Sequence, residues 1–540
     1  MRNIIFLLIF GIFAFLIGNN VLSLTDPDEV FYTGTASEMA AHGTWVTPYL
    51  FNQPQFEKPI LTYDLIRVGL LIFGKNSFGA RFFPALFALI GGLAVYFLGR
   101  LFFRRGDQSV TGALMLMSSG LFIGLARTVF TDMIFTVFIL LALACFYWAY
   151  EKPARKDIGL VLFNVFAALA VLTKGPLGYV IPLAVVVVFL FLRRRIKFLA
   201  CGAFCFGTLL FLLLAVPWYA LMFYKYDGAF IKEFFYNDHW RRLIEAEHLK
   251  NDRWYFYPLS MLGCMFPWVI FTAAGMFNAG KSFFKGKADP VQQFLLVWIV
   301  VVFVVFQVAH SKLVSYIFPL FPAMALLSAI YWVKVSEKNR NKFIAMLWGT
   351  WGLCALILVV LLAGPLKFST YVSFSPRFIL VMAVEAVFLL AMAIFIRRQQ
   401  FQRVLLCFSG QLPLIFMGAL LMWQNIEPFA STHYAAQYLA TQPLNEGKIL
   451  CSKFLARSTR YYLDKDVAIF NMGGKNYFSP HPIEMIDTPQ ALDSFLKRQK
   501  VTYGIFECHD LEDIKTGASK LGMKTELLKT IGDKCVFVVE

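Results

Sequence analysis

Long apolar runs alternate with short polar stretches from residue 3 to about residue 423. Many of these runs approach or exceed the ~20 residues that cross a bilayer as a helix. They predict about 13 membrane helices, at about 3–24, 79–103, 109–126, 129–150, 158–175, 177–193, 198–221, 256–278, 290–310, 314–334, 341–364, 375–396 and 401–423. Beyond about residue 425 the pattern changes. Short β-rich runs at Lys448–Ser452, Val467–Asn471, Thr502–Glu507 and Lys534–Val539 alternate with helical stretches at Thr488–Gln499 and Leu511–Leu521. The expected organisation is a membrane domain over residues 1–425 followed by a small soluble α/β domain over 430–540.

Composition agrees with this reading. The 540 residues are 59% hydrophobic and only 15% charged, whereas soluble domains carry roughly a quarter charged residues. The chain is expected to be a polytopic α-helical membrane protein. Its net charge of +17 could suggest nucleic acid, but the distribution argues otherwise. Every second loop is basic: Arg100, Arg104 and Arg105; Lys152, Arg155 and Lys156; Arg193, Arg194, Arg195 and Lys197. The series continues with Lys281, Lys285 and Lys287; Lys334, Lys338, Arg340 and Lys342; and Arg397, Arg398 and Arg403. This is the positive-inside pattern, so the charge is topological and no nucleic-acid partner is expected.

The alternation puts the N-terminus in the cytoplasm. No small-x-small site follows the first apolar run, so an uncleaved first helix is expected. An odd number of spans then places the C-terminal domain outside, which fits a bacterial inner membrane with a periplasmic tail. Nine cysteines show no CxxC or Cys/His metal spacing. Cys451, Cys508 and Cys535 lie in the tail, where an oxidising compartment permits one disulfide, with the pairing left open.

With this topology the chemistry gathers on the outer face. Two long external loops, about 25–78 and about 222–255, are expected to be functional and to carry short aromatic-rich interfacial helices. The first holds Gln55-Phe56-Glu57-Lys58-Pro59-Ile60. Pro59 fixes its own φ and disfavours helix at Lys58, so the charged pair sits in a shaped loop. The same loop supplies Asp26, Asp28 and Glu29, and the second supplies Asp238, His239, Arg241, Arg242 and His248. Shorter outer segments add Arg127 and Asp132, Lys174, and His310, Lys312 and Tyr316. Carboxylates, cations and histidines beside apolar helices suit a substrate with a phosphate head and a hydrocarbon tail. Each residue also has a plainer use. Asp28 and Glu29 could complement a helix dipole, Asp132 could cap a helix, Arg241 and Arg242 could meet lipid headgroups, and Lys174 and Lys312 could snorkel.

The series Asp28-Glu29, Glu38-Met39, His42 to Pro48 and Phe56-Glu57-Lys58-Pro59 resembles the opening of the aminoarabinose transferase family. These are polyprenyl-phosphate-dependent membrane glycosyltransferases related to the protein O-mannosyltransferases. The likeness runs on through Gly79 to Pro84, Arg127 with Thr131-Asp132, Lys174-Gly175-Pro176, Pro217-Trp218, His239 with Arg242, Pro267-Trp268 and Ser311-Lys312-Leu313 with Tyr316 and Pro319.

The resemblance implies a type-C glycosyltransferase fold of about 13 transmembrane helices with a C-terminal periplasmic α/β domain. The implied reaction moves a sugar from undecaprenyl phosphate to an envelope acceptor, typically a phosphate of lipid A. By position, Asp28 and Asp132 are the catalytic carboxylates, and Lys58, Arg242 and Tyr316, with Lys312, contact the donor phosphate. Glu57 with His239, or with His248, would hold a divalent metal; Glu29, Lys174 and Arg127 are further candidates. A monomer is expected, with the membrane, the polyprenyl phosphate lipid and the acceptor as its partners. One departure stands out: Phe31 occupies a position where the family usually has arginine. The alternatives are a protein O-glycosyltransferase using the same donor and a lipid flippase or transporter. A transporter would need charges near the midplane and often repeated halves, and the sequence shows neither.

Overall fold

The computed structural model describes residues 1–103, 106–247, 249–367, 374–444, 447–472, 483–499 and 501–540; Arg104, Arg105 and His248 lie outside the described residues. Every apolar run contains a helix. Among the described residues nine helices are long and apolar enough to cross a membrane, and ten if one bent pair is a single span. That number is lower than the count of apolar runs because several runs are not one straight helix. Arg2–Leu16 and Leu177–Leu192 are short, and the 256–278 run is divided into Phe256–Gly263 and Val269–Phe284.

The bent pair shows how a broken helix survives at membrane depth. Gln108–Met117 and Gly120–Ala126 meet at 65°, and the break would strand backbone groups with no water to satisfy them. The other broken run supplies the partners. The amides of Gly120 and Leu121 donate to the carbonyls of Phe266 and Cys264 at 3.1 and 3.2 Å. The Trp268 indole donates to Ser118 Oγ at 2.9 Å. Pro267, which has no N–H to donate, sits in this second break.

The loop after the first helix folds into the helices Asp28–Ala41 and Ile60–Phe73 joined by a hairpin of Tyr49–Leu50 and Gln53–Pro54. Phe51 and Asn52 turn the hairpin with φ of 54° and 58°. Their amides donate to the Glu38 carboxylate at 3.0 and 2.7 Å, which ties the hairpin to the Asp28–Ala41 helix. The second long loop is a continuation of the Gly202–Phe230 helix. Asp227, at φ 39° and ψ −119°, breaks the α-helical path, and Ile231–Arg241 then winds as a π-helix, a form frequent at functional sites.

The C-terminal part holds a six-stranded sheet in the order Met485–Ile486, Val467–Phe470, Ile449–Ser452, Thr502–Glu507, Lys534–Val539 and Thr525–Ile531. The first four strands are parallel and the last two antiparallel to their neighbours. Cys508 and Cys535 form a disulfide and Cys451 is buried and free. Ala456–Leu463, a helix absent from the sequence reading, follows the central strand. It fastens the sheet to the first loop. Asp26 bonds Ser458 and accepts from Thr432 Oγ1 at 2.5 Å, Tyr462 donates to the Leu24 carbonyl at 3.4 Å, and Arg460 pairs with Glu38 at 3.7 Å.

Candidate active site

The helix Asp28–Ala41 begins with two acidic residues at its positive dipole end, and they have different fates. Glu29 is fully buried. Its carboxylate accepts from Arg81 Nη2 at 2.6 Å, from Thr25 Oγ1 at 2.8 Å and from the Val129 amide at 2.9 Å. Burial alone would raise its pKa, but the Arg81 charge and these hydrogen bonds outweigh it and hold the carboxyl below its usual range. Glu29 is therefore a tie between the first loop and the helices behind it. Asp28, one position earlier, is exposed and lines a cavity of about 1150 Å³.

That cavity collects eight of the candidate residues: Asp28, Glu57, Lys58, Asp132, Lys174, His239, Arg242 and Tyr316. Apart from the i,i+4 spacing of Asp238 and Arg242, their positions in the sequence give no hint of the pairing that holds them. Lys58 Nζ meets Asp238 Oδ2 at 2.6 Å, and Arg242 meets Asp238 Oδ1 at 2.8 Å. Arg242 also donates to the Tyr316 hydroxyl at 3.3 Å. One buried carboxylate thus holds two cations from different loops side by side, where their mutual repulsion would otherwise separate them. Lys174 Nζ meets Asp132 Oδ1 at 2.6 Å and lies 4.7 Å from the centre of the same Tyr316 ring.

Besides Glu29, two candidates lie elsewhere. Lys312 does not line the cavity; its ammonium sits on Asp252 at 2.5 Å, beside His310. Arg127 donates to the carbonyls of Ala14 and Ile17 at 2.7 and 2.8 Å, clamping the end of the first helix. Both satisfy backbone or ionic partners, which explains a cation near the membrane face without a ligand.

The pair implied for a metal does not fit one. Glu57 and His239 both line the cavity. His239 Nδ1 is bonded to the Phe234 carbonyl at 2.7 Å. Its Nε2 lies against Gly175, where a Cβ would come within 2.7 Å. The adjacent Asp238 is engaged by two cations, and among the described residues Glu57 and His239 join no group of three convergent ligands. A divalent ion wants three or four. The one group of three is Glu507, His509 and Asp510 in the C-terminal part, which is clustered without further sign of an ion.

Two further residues of the cavity have roles that the sequence reading did not assign. Asp238, named there only among the charged groups of the second loop, is the hub and was legible as an i,i+4 partner of Arg242. Arg457 was not legible: it comes from the Ala456–Leu463 helix, with Lys453 in the turn before it, and both line the same cavity. The Arg457 guanidinium lies 4.6 Å from the centre of the Phe31 ring. A cation therefore stands over the position where arginine is missing. Burial raises the Glu57 carboxyl, and the Arg457 charge opposes this more strongly than that of neighbouring Lys58.

The comparisons with known proteins bear on this arrangement. Residues 3–228 match the family model "Dolichyl-phosphate-mannose-protein mannosyltransferase". An undecaprenyl phosphate-alpha-4-amino-4-deoxy-L-arabinose arabinosyl transferase of Edwardsiella ictaluri is 30% identical over 351 residues, covering 62% of this chain and 61% of the relative. The protein of the same name from Yersinia pestis (strain Pestoides F) is 30% identical over 374 residues, covering 67% of this chain and 65% of the relative. The chain is a relative of the aminoarabinose transferases. Its match spans less than two thirds of the length of these curated relatives. The crystal structure of ArnT from Cupriavidus metallidurans bound to undecaprenyl phosphate superposes with a TM-score of 0.77 at 20% identity, over 99% of this chain and 97% of that one. The likeness in fold thus covers nearly the whole chain, which has the architecture of a multi-pass membrane protein.

Proposed function

We propose that the chain is an integral-membrane glycosyltransferase. It moves a sugar, an aminosugar such as 4-amino-4-deoxy-L-arabinose, from undecaprenyl phosphate to an envelope acceptor, a phosphate of lipid A. The observation that carries this reading is the single cavity holding the carboxylates Asp28 and Asp132 with the Lys58–Asp238–Arg242–Tyr316 network. The names of the relatives supply the donor class and its sugar. Alternating basic loops and the Cys508–Cys535 disulfide support a cytoplasmic N-terminus and a C-terminal domain, residues 430–540, in the periplasm of a bacterial inner membrane.

In this mechanism the donor phosphate competes with Asp238 for Lys58 and Arg242. Both cations are already in place, so little reorganisation accompanies the charge that develops on the leaving phosphate. The acceptor oxygen forms a bond to the anomeric carbon as the bond to the polyprenyl phosphate oxygen breaks, and the electron pair leaves with the phosphate. Asp28, exposed to the cavity, takes the acceptor proton or orients the attacking oxygen. Asp132, fixed by Lys174, faces the sugar. No step is assigned to a metal.

The test is transfer by purified protein together with binding of undecaprenyl phosphate. Asp28→Asn is expected to abolish transfer and keep lipid binding; wild-type turnover would sink the assignment. Mass spectrometry of a deletion strain should show lipid A without the added sugar. Unchanged lipid A with altered envelope glycoproteins would move the acceptor to protein.

A further inference from the structure

Transfer between two lipid-linked phosphates requires two anion sites on one cavity, and the residues described so far make one. A further part of the wall comes from the C-terminal sheet. Ile449–Ser452 is its central strand: the chain next adds Val467–Phe470 on one side and later Thr502–Glu507 on the other. The carboxyl end of this strand is thus the point where the winding reverses direction, the place where open α/β sheets bind ligands. Lys453 and Phe454 follow the strand immediately, Arg457 lies in the first turn of the next helix, and all three line the cavity.

These cations are held firmly. Ser452 Oγ donates to Asp510 at 2.8 Å and accepts from the Glu507 amide at 3.0 Å, fixing the turn before Lys453. Ser458, Arg460 and Tyr462, on the same short helix as Arg457, bond Asp26, Glu38 and Leu24 of the first loop. Arg457 is thereby set over Phe31, one helical turn from Asp28.

We propose that Lys453 and Arg457 form a second anion subsite, which holds the phosphate of the acceptor in the same cavity as Lys58 and Arg242. This rests on the glycosyl-transfer reading above and adds that the C-terminal domain selects a phosphorylated acceptor. A guanidinium takes phosphate through paired hydrogen bonds and a neighbouring ammonium adds a point charge.

The experiment uses the full-length protein in detergent with three probes: diphosphoryl lipid A, the same lipid with its phosphates removed, and undecaprenyl phosphate. Wild type should bind the phosphorylated lipid A at least about 10-fold tighter than the dephosphorylated form. Arg457→Ala should erase most of that preference while leaving undecaprenyl phosphate binding within about twofold, which also reports an intact fold. Lys453→Ala should do the same to a smaller degree, and Arg457→Lys should retain part of the preference. Phe31→Arg added to Arg457→Ala should restore it, because the new cation would occupy the same corner. A parallel loss of undecaprenyl phosphate binding would assign Arg457 to the donor and overturn the proposal. So would a wild type indifferent to the lipid A phosphates. A wild type that fails to bind undecaprenyl phosphate would instead refute the donor assignment, separately from the behaviour of Arg457.

Discussion

Replacing Asp26 by Asn probes the joint between the first loop and the C-terminal sheet. Burial pushes this carboxyl up to about 6 from 3.8, against the hydrogen bonds from Ser458 and Thr432 and the charge of Lys534. The folded state therefore holds a proton that the unfolded state releases. Stability contributed by Asp26 is fully present below about pH 4, falls as pH rises towards about 6, and is flat above that. The difference, at about 1.4 kcal/mol per pH unit, sets a ceiling of about 3 kcal/mol at pH 7.5. Asp26 is partly exposed, so the observed value should be smaller. Asn does not titrate and still offers an oxygen to one hydroxyl and an N–H to the other. The measurement is thermal unfolding of both proteins from pH 4.5 to 8, with hydrogen exchange of the Ala456–Leu463 helix as the local readout. The variant should gain on wild type as pH rises, with the change complete by about pH 7. A variant that tracks wild type at every pH, or loses ground at pH 7.5, would refute the burial argument.

Other substitutions test separate parts of the structure. Glu29→Gln leaves Arg81 buried without its anion and should cost about 3–5 kcal/mol, seen as lowered expression and melting temperature. Asp238→Asn strands Lys58 and Arg242 together; it should lower the melting temperature, and added undecaprenyl phosphate should restore part of the loss by replacing the anion. Gly175→Ala places a side chain at φ +121° and against His239 Nε2, so it should destabilise by about 1–3 kcal/mol and reduce transfer together. Cys508→Ser opens a disulfide of sequence separation 27; the C-terminal domain should lose about 3.5 kcal/mol, measured by proteolysis of the tail.

Much of the fold is written locally. Apolar runs longer than a bilayer crossing must form helices whatever their neighbours, because a lipid-exposed backbone has no other partner. The four strands read from the tail agree with the structure to within a residue at each end, since strands buried on both faces, parallel or not, are nearly continuous apolar runs bounded by polar turns. The edge strand Thr525–Ile531, with most of its side chains exposed, carries no such signal and went unread. The bent pair was equally hidden, because its broken backbone is satisfied by carbonyls more than 140 residues away.

The candidate site divides in the same way. The sequence by itself determined which chemistry was available: carboxylates, cations and a tyrosine at helix ends on one side, with Asp28, Lys58, Asp132, Arg242 and Tyr316 among them. Only the tertiary structure decided their pairing. It made Asp238 the carboxylate shared by two loops, engaged Glu29, Arg127 and Lys312 in structural bonds, and, among the described residues, left Glu57 and His239 without the further ligands a metal needs. It also brought Arg457 over Phe31 across more than 400 residues of chain. A residue's type and local spacing fix what it can do, but its partners depend on loop closure between distant segments, and that is settled only when the helices and the sheet pack.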